Sequence, residues 1–592
     1  MTDGAGPVAL VWAADQEQGA LVGGAVTFAG PATDVLARVA ALEAERHPRW
    51  VWWDAAHDAR PVVRRGIPVQ RCWDLAEAHR LLLGGWAADP ALVWATVCRL
   101  PADRLPRSTG DLFDFAEDFS RPGEPVAPAI QAGELLRADG YLRPDAADRS
   151  RLTSGDRLLA WGRMALTAAA GQQQLLSDVA TNAVSTAHSE SAAALLCVEL
   201  EEHGLPVDRA TAERLIGASA GPRPASAELA RAHAEARDRE VLRLGPRATM
   251  VTDLRNPAQV KALLASAGIV VKDTRAWRLE PFRGTSPLVD ALLQWRKAER
   301  IATTYGYPWL DANLGSDDRL RGQWTACDGG AGRMRASNGL HNLPKPLRPA
   351  VAAEPGHVLV RADLGQIEPR VLAAVSGDEA FARDTRSADL YAPVAARLGV
   401  DRPRAKVAVL AAMYGQTSGA AGEALKGLQH AYPTAVGYLE AAYADGVAGT
   451  AVRTYGGRRV PMGDPPAPAP LFATSAVPPA ADGMPPAPYH PLPGALAGRG
   501  RYARNAVVQG AAAELFKAWA ATVRLAVAGT GAEIVLCLHD ELLVQVPQEA
   551  ARETAAILER SLSDAARWWA ASPAVRFVAD TRTIQRWSEV QD

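Results

Sequence analysis

Two short apolar runs, each delivering carboxylates at its end, constrain this chain more than anything else in it. The first is Val358-Leu359-Val360-Arg361-Ala362-Asp363 and the second is Val535-Leu536-Cys537-Leu538-His539-Asp540-Glu541. A further apolar run, Leu542-Leu543-Val544, follows the second at once. Runs of this length and composition read as strands, and the second with its continuation reads as a hairpin with acids at its tip. Asp540 and Glu541 repel each other there, and Asp363 adds a third negative charge unless divalent cations neutralise the group. Hard cations such as Mg²⁺, held by a few carboxylates and sharing a substrate phosphate, are the expected solution.

A helix should carry the substrate side of that chemistry. In Asp401-Arg402-Pro403-Arg404-Ala405-Lys406, continuing to Tyr414-Gly415, Asp401 suits the N-cap, Pro403 the first turn and Gly415 the C-cap. Arg402, Lys406, Leu410 and Tyr414 recur every four residues and share a face. Cations near a helix N-terminus oppose the macrodipole unless an anion sits there, and a triphosphate reverses the sign. Lys406 stands out further because all but a handful of the 64 basic residues are Arg. A second helix is expected from near Gly500, with Arg501, Asn505 and Gln509 on one stripe. Long donors on one stripe suit the minor groove, where every base pair offers acceptors in similar places.

These residues carry a resemblance. Asp363-Leu364-Gly365-Gln366-Ile367-Glu368-Pro369-Arg370 resembles motif A of the family A, polymerase I type, DNA polymerases, and His539-Asp540-Glu541 resembles their motif C. The 401–415 helix is similar to their motif B. The match runs in order from about Leu196 to the C-terminus. The resemblance implies template-directed nucleotidyl transfer to a primer 3′ end in DNA replication or repair, on primer–template DNA and deoxynucleoside triphosphates. Asp363 and Asp540 would bind two Mg²⁺ ions, with Mn²⁺ as substitute, and Glu541 would assist. Lys406 would protonate the leaving pyrophosphate. Arg402, Lys406, Leu410, Tyr414, Gln366, Glu368 and His539 would contact the nucleotide or primer end, with Glu368 against the sugar 2′ position and paired to Tyr414. Arg333, in a basic loop before motif A, Arg458 and Arg459 in the Thr454-Tyr455-Gly456-Gly457-Arg458-Arg459 turn, and Arg501, Asn505 and Gln509 would hold DNA. The sequence departs from the family at Leu364-Gly365, where Tyr-Ser is usual, at Pro369, where Leu is usual, at Leu410, where an aromatic ring is usual, and at Glu514, where Asp is common.

The first third alternates strands such as Val8 to Trp12 with helical stretches, an α/β pattern. Its segment from Ala56 to Ile67 resembles the second motif of DEDD-type 3′–5′ exonucleases, with Asp58 in the metal-ligand position. Asp15-Gln16-Glu17 is the counterpart for the first motif. The last motif requires Tyr-x-x-x-Asp, and its best counterpart, Trp161-Gly162-Arg163-Met164-Ala165, has Ala in place of the acid. Proofreading is therefore expected to be absent or feeble. From Val184 to Asp317 helical periodicity dominates; the resemblance implies a thumb, and spacing alone implies core helices.

The expected fold class is multidomain α/β and α: an RNase H-like, exonuclease-like domain over 1–183, then a right-hand polymerase. Its parts are a thumb with connecting helices over 184–320, an α/β palm with an antiparallel sheet over 321–378 and 500–592, and helical fingers over 379–499. The fingers contain a Pro-rich insertion, 463–499, in which neither a long helix nor a strand is expected. At 592 residues one core does not suffice, and the resemblance leaves no room for a 5′-nuclease domain, so a separate nuclease would remove primers or flaps. No apolar run approaches a membrane span and the start lacks a signal pattern, which implies a cytoplasmic, nucleoid-associated monomer with no membrane partner. Five scattered cysteines exclude a Cys-x-x-Cys zinc site and read as reduced, buried thiols. The net charge of −2 excludes indiscriminate nucleic-acid coating and permits a local basic track. Two other readings are a polymerase fold that binds DNA with impaired catalysis, and a 3′–5′ exonuclease.

Overall fold

A computed structural model describes residues 6–106, 134–246, 252–328, 330–415, 420–463, 493–538, 540–570 and 574–589. The chain forms two compact units. One comprises Met1–Glu202, Trp324–Arg335 and Val360–Thr583; the other comprises His203–Gln323, Ala336–Leu359 and Ile584–Asp592.

The first unit begins with a five-stranded sheet in the order β3-β2-β1-β4-β5, built from β1 (Val8–Trp12), β2 (Gln18–Gly23), β3 (Val26–Pro31), β4 (Arg49–Trp52) and β5 (Arg71–Asp74). The β1–β2 and β2–β3 pairs are antiparallel, whereas β1–β4 and β4–β5 are parallel. All five residues of β1 are buried, as an unbroken apolar run in the middle of a covered sheet should be. The Gly155–Ser177 helix lies against this sheet, and Trp161 stacks on Trp53 with ring centroids 4.2 Å apart. Gly162 permits that approach, since a Cβ there would lie 2.9 Å from Val22. Buried tryptophans dominate this core, among them Trp12, Trp53, Trp73, Trp94 and Trp161, and each removes about 150–250 Å² from water.

In the second unit β6 (Leu205–Pro206) pairs antiparallel with β7 (Arg319–Leu320). The helices Arg209–Ala220, Ala227–Leu242, Pro257–Ser266 and Pro287–Thr304 follow the expected periodicity. Asp208 caps the first of them by accepting the Thr211 N–H at 2.9 Å. Leu292, Leu293 and Trp295 enter a core with Val241, Leu242, Leu263 and Leu264.

The rest of the first unit holds the acidic strands. β8 (Trp324–Asp328) and β9 (Arg333–Ala336) form a two-stranded sheet. A four-stranded sheet has the order β13-β14-β10-β15, from β10 (His357–Leu364), β13 (Glu533–Leu538), β14 (Glu541–Pro547) and β15 (Ala579–Ile584). A small antiparallel hairpin, β11 (Val452–Arg453) with β12 (Arg459–Val460), encloses the Thr454–Arg458 turn. Helices Arg402–Tyr414, Pro433–Ala448 and Pro493–Ala526 share a core through Val409, Ala412, Leu439, Ala503 and Val507.

The helix expected near Gly500 starts at Pro493, so the last seven residues of the 463–499 insertion are helical. Pro is tolerated in a first turn, and Ala495-Leu496-Ala497 are strong helix formers that the Pro-rich stretch before them obscured. Residues 464–492 of the insertion lie outside the described residues. The five cysteines are free, four buried and Cys98 half-buried. Among the described residues no helix is long and apolar enough to cross a membrane.

Candidate active site

The two acidic runs come together because β10 and β14 are sheet neighbours. The Leu364 N–H donates to the Asp540 carbonyl at 2.8 Å, fixing the end of β10 against the β13–β14 turn. Leu538 pairs with Glu541 in that hairpin, which leaves Asp540 in the turn. Asp363 and Asp540 are half-buried. Burial first, and the Asp363 carboxylate second, push the Asp540 carboxyl up to about 7. Glu541 points elsewhere: it is 7% exposed, and its Oε1 accepts from Arg361 Nε at 2.7 Å. His539 lies outside the described residues.

Immediately after β10 the chain turns sharply into the Ile367–Ser376 helix, with Gln366 at φ +56° in the left-handed region. Its side chain is locked at both ends, donating to Asp389 at 2.7 Å and accepting the Leu390 N–H at 2.7 Å. Glu368 accepts from the Tyr414 hydroxyl at 3.0 Å, the expected pair, and from Arg333 at 3.0 Å. Arg370 is fully buried and donates to five backbone carbonyls, those of Gly365, Thr385, Ser387, Ala388 and Arg576. Burial pushes its guanidinium down to about 10. It ties the turn after Asp363 to the segment carrying Asp389.

The Arg402–Tyr414 helix has its expected caps. The Asp401 side chain accepts the Arg404 N–H at 2.8 Å, and Gly415 adopts φ +68°. Arg402 and Lys406 are exposed, Leu410 is half-buried, and the Tyr414 hydroxyl reaches Glu368. Arg402 is held by Asp389, Nε to Oδ2 at 2.6 Å, so one carboxylate anchors both Arg402 and Gln366. On the Pro493–Ala526 helix Arg501 is exposed while Asn505 and Gln509 are half-buried. Their neighbour Arg504, which the four-residue stripe passed over, is buried and donates to the Ala412 carbonyl at 2.6 Å and to Glu440 at 2.7 Å. It clamps one helix to the end of the other.

The structure corrects the expectation for Arg458. It is 1% exposed and ion-paired with Glu190 at 2.6 Å, so it has no surface to offer a DNA phosphate. Lys517, also fully buried, shares Glu190 and donates to the Gly332 carbonyl at 2.7 Å. Gly332, at φ +65°, admits the Arg458 guanidinium where a Cβ would lie 2.3 Å from Nε. Glu514 closes the same network, accepting from the Gly456 N–H at 2.8 Å and from the Thr454 hydroxyl. Arg459 is half-buried and donates to the Leu83 carbonyl at 3.2 Å.

Beyond the N-terminal sheet, Asp58 ends the short Ala55–Asp58 helix after β4, fully buried against Arg149, whose Nη1 lies 2.6 Å from its Oδ1. Complete burial works against its charge, yet Arg149 and His57 together hold the Asp58 carboxyl below the usual range. Arg149 also pairs with Asp54 at 2.8 Å. Asp15 and Glu17 are exposed, and Ala165 sits in the core.

The donor set at the strand ends suits divalent cations. Among the described residues no three His, Cys, Asp or Glu side chains form a self-contained metal cage. One or two carboxylates completed by substrate phosphates is the ordinary arrangement for Mg²⁺. The buried like charge on Asp540 is the kind that a cation relieves.

The family model for DNA polymerase family A matches residues 248–589. The chain is 28% identical over 323 residues to the thermostable DNA polymerase I of Thermus filiformis, covering 50% of this chain and 36% of that protein. It is 31% identical over 317 residues to the thermostable DNA polymerase I of Thermus thermophilus, covering 48% and 35%. The match thus spans about a third of the length of these curated relatives. A solved structure, the POL domain of Pol1 from M. smegmatis in complex with DNA primer-template and dNTP, superposes with a TM-score of 0.65 at 19% identity, covering 98% of this chain and 95% of that one.

Proposed function

The chain belongs to DNA polymerase family A, and from that premise we propose that it extends a primer 3′ end on a DNA template with deoxynucleoside triphosphates. The observation that supports this most is the meeting of Asp363 and Asp540 at the ends of neighbouring strands, in the same unit as the Arg402–Tyr414 helix with its exposed cations.

On this reading Asp363 and Asp540 hold two divalent cations, Mg²⁺ with Mn²⁺ as substitute. When bound, these supply charge stabilisation at the α-phosphorus and favour the deprotonated primer hydroxyl. The chain's own residues do the rest. Arg402 and Lys406, on the N-terminal part of their helix, draw the triphosphate against the positive end of the helix dipole. Asp389 presets the Arg402 guanidinium, which lowers the cost of ordering it. Lys406 delivers a proton to the departing pyrophosphate. The Glu368–Tyr414 pair closes the floor under the sugar, where a ribose 2′-hydroxyl would meet Glu368. Leu410 contacts the base, and Arg333, Arg459, Arg501, Asn505 and Gln509 contact primer–template DNA, with His539 at the primer end.

The division that goes with this reading is an exonuclease-like domain over 1–183, a thumb over 184–320, a palm over 321–378 and 500–592, and fingers over 379–499. The exonuclease-like part lacks proofreading because Arg149 consumes the Asp58 and Asp54 carboxylates and Ala165 replaces a metal-binding acid. The protein acts as a cytoplasmic, nucleoid-associated monomer. A primer-extension gel with four deoxynucleotides and Mg²⁺ tests the proposal. Extension supports it; an unchanged primer points to a DNA-binding protein, and a shortened one to a nuclease.

A further inference from the structure

Arg361 has no part in the chemistry above, yet it is joined directly to two members of the acidic cluster. It precedes Asp363 by two positions on β10, so both side chains leave the same face of the strand. At 7% exposure its guanidinium sits where a charge is tolerated only with partners. It has two: Nε donates to Glu541 Oε1 and Nη2 to Asp363 Oδ2, each at 2.7 Å. One planar cation thus spans the ends of β10 and β14. Glu541 and Asp363, although opposed by burial, keep that guanidinium protonated beyond its ordinary range. Among the described residues no cation is paired with Asp540.

A guanidinium 2.7 Å from Asp363 Oδ2 occupies part of the carboxylate's lone-pair capacity and offsets the charge that a divalent ion would draw on, so the two cations compete for Asp363. We propose that Arg361 is a positioning residue that acts as the resident cation of this cluster, competing with the divalent ion for Asp363 and lowering the free protein's affinity for it. The proposal rests on the reading of Asp363 as a metal ligand. Arg361 keeps the three acids from repelling one another before substrate arrives. It gives up Asp363 when the triphosphate brings further oxygens to the ion, and it retains Glu541 throughout. Glu541 is then the anchor of Arg361 and does not ligate the ion.

The test is Mn²⁺ binding to the full chain without DNA or nucleotide, read from the electron paramagnetic resonance signal of free Mn²⁺. Wild type is compared with R361A, R361K, R361A/E541Q and D363N. The double variant removes both halves of the buried pair, so neither charge is stranded. Its two remaining carboxylates carry the same net charge as the wild-type trio with its guanidinium, so a gain in affinity reports lost competition and not added negative charge. Mn²⁺ should bind at least about tenfold more tightly to R361A/E541Q than to wild type, the scale of one released charge-assisted hydrogen bond. R361K, which cannot span both carboxylates, should fall between them. D363N should abolish the site. Equal or weaker affinity in the double variant, with binding still lost in D363N, overturns the inference and leaves Asp363 a ligand. Binding that survives D363N overturns both.

Discussion

Replacing Glu514 by Gln should make stability fall less between mildly acidic and mildly alkaline pH. Glu514 is 1% exposed within the Pro493–Ala526 helix, and among the described residues it accepts from the Gly456 N–H and the Thr454 hydroxyl. Arg458 stands near it but is committed to Glu190. Burial, the largest influence, outweighs those two donors and Arg458, and it raises the carboxyl from 4.5 to about 7. The folded chain therefore binds this proton more tightly than the unfolded chain. The protonated site is fully favourable below about pH 4.5, and stability drains away as pH rises through about 7. With 1.36 kcal/mol per unit, the change between pH 5 and pH 8 is roughly 2–3 kcal/mol. Gln has nearly the same shape, stays neutral and keeps an acceptor, so E514Q should match wild type at pH 5 to within about 1 kcal/mol. Urea unfolding followed by tryptophan fluorescence at the two pH values reads the difference. Asp74, pushed by burial and then by Glu77 to about 8, and Asp540 contribute alike to both proteins and cancel. Equal pH slopes in wild type and E514Q would refute the reasoning. Such equal slopes would mean that Glu514 is already ionised in the fold at pH 5, with Arg458 as its partner.

Asp540→Asn should retain primer–template binding and lose extension, because the ion at the hairpin turn loses a charged ligand; extension near the wild-type rate in Mg²⁺ sinks the assignment. Leu410 offers aliphatic contact where a ring would stack, a difference of roughly 1–3 kcal/mol per base in single-strand binders. Leu410→Phe and Leu410→Tyr should therefore lower the apparent KM for deoxynucleotides, with Tyr also admitting dideoxynucleotides, and an unchanged KM in both shows that the base does not meet this residue. A 3′-mismatched primer incubated with Mg²⁺ or Mn²⁺ and no nucleotides should remain intact; shortening that disappears in Asp58→Ala would show a working exonuclease despite Arg149.

The parts of this molecule that were legible in its sequence are those whose causes lie within a few residues of one another. The caps of the Arg402–Tyr414 helix are local, and so they could be read from Asp401 and Gly415. The strand ends could be read from the alternation of apolar runs and acids. What escaped is the fate of individual arginines. Arg458, Arg504, Arg370 and Arg149 look in sequence like any other basic residue, and each is drawn inward by acceptors that only the fold supplies. An arginine-rich chain thus overstates its own DNA-facing surface when read residue by residue. The same physics separates the two acidic sites. In both, buried carboxylates need a counter-charge and an arginine provides one. Arg149 takes Asp54 and Asp58 together, and Ala165, where an acid would complete the set, sits in the core. Arg361 takes Glu541 and one oxygen of Asp363, while Asp540 keeps a carboxyl that burial and like charge leave in need of a cation. On the function proposed above, the second of the two sites is therefore the one whose carboxylates would hold the two metal ions.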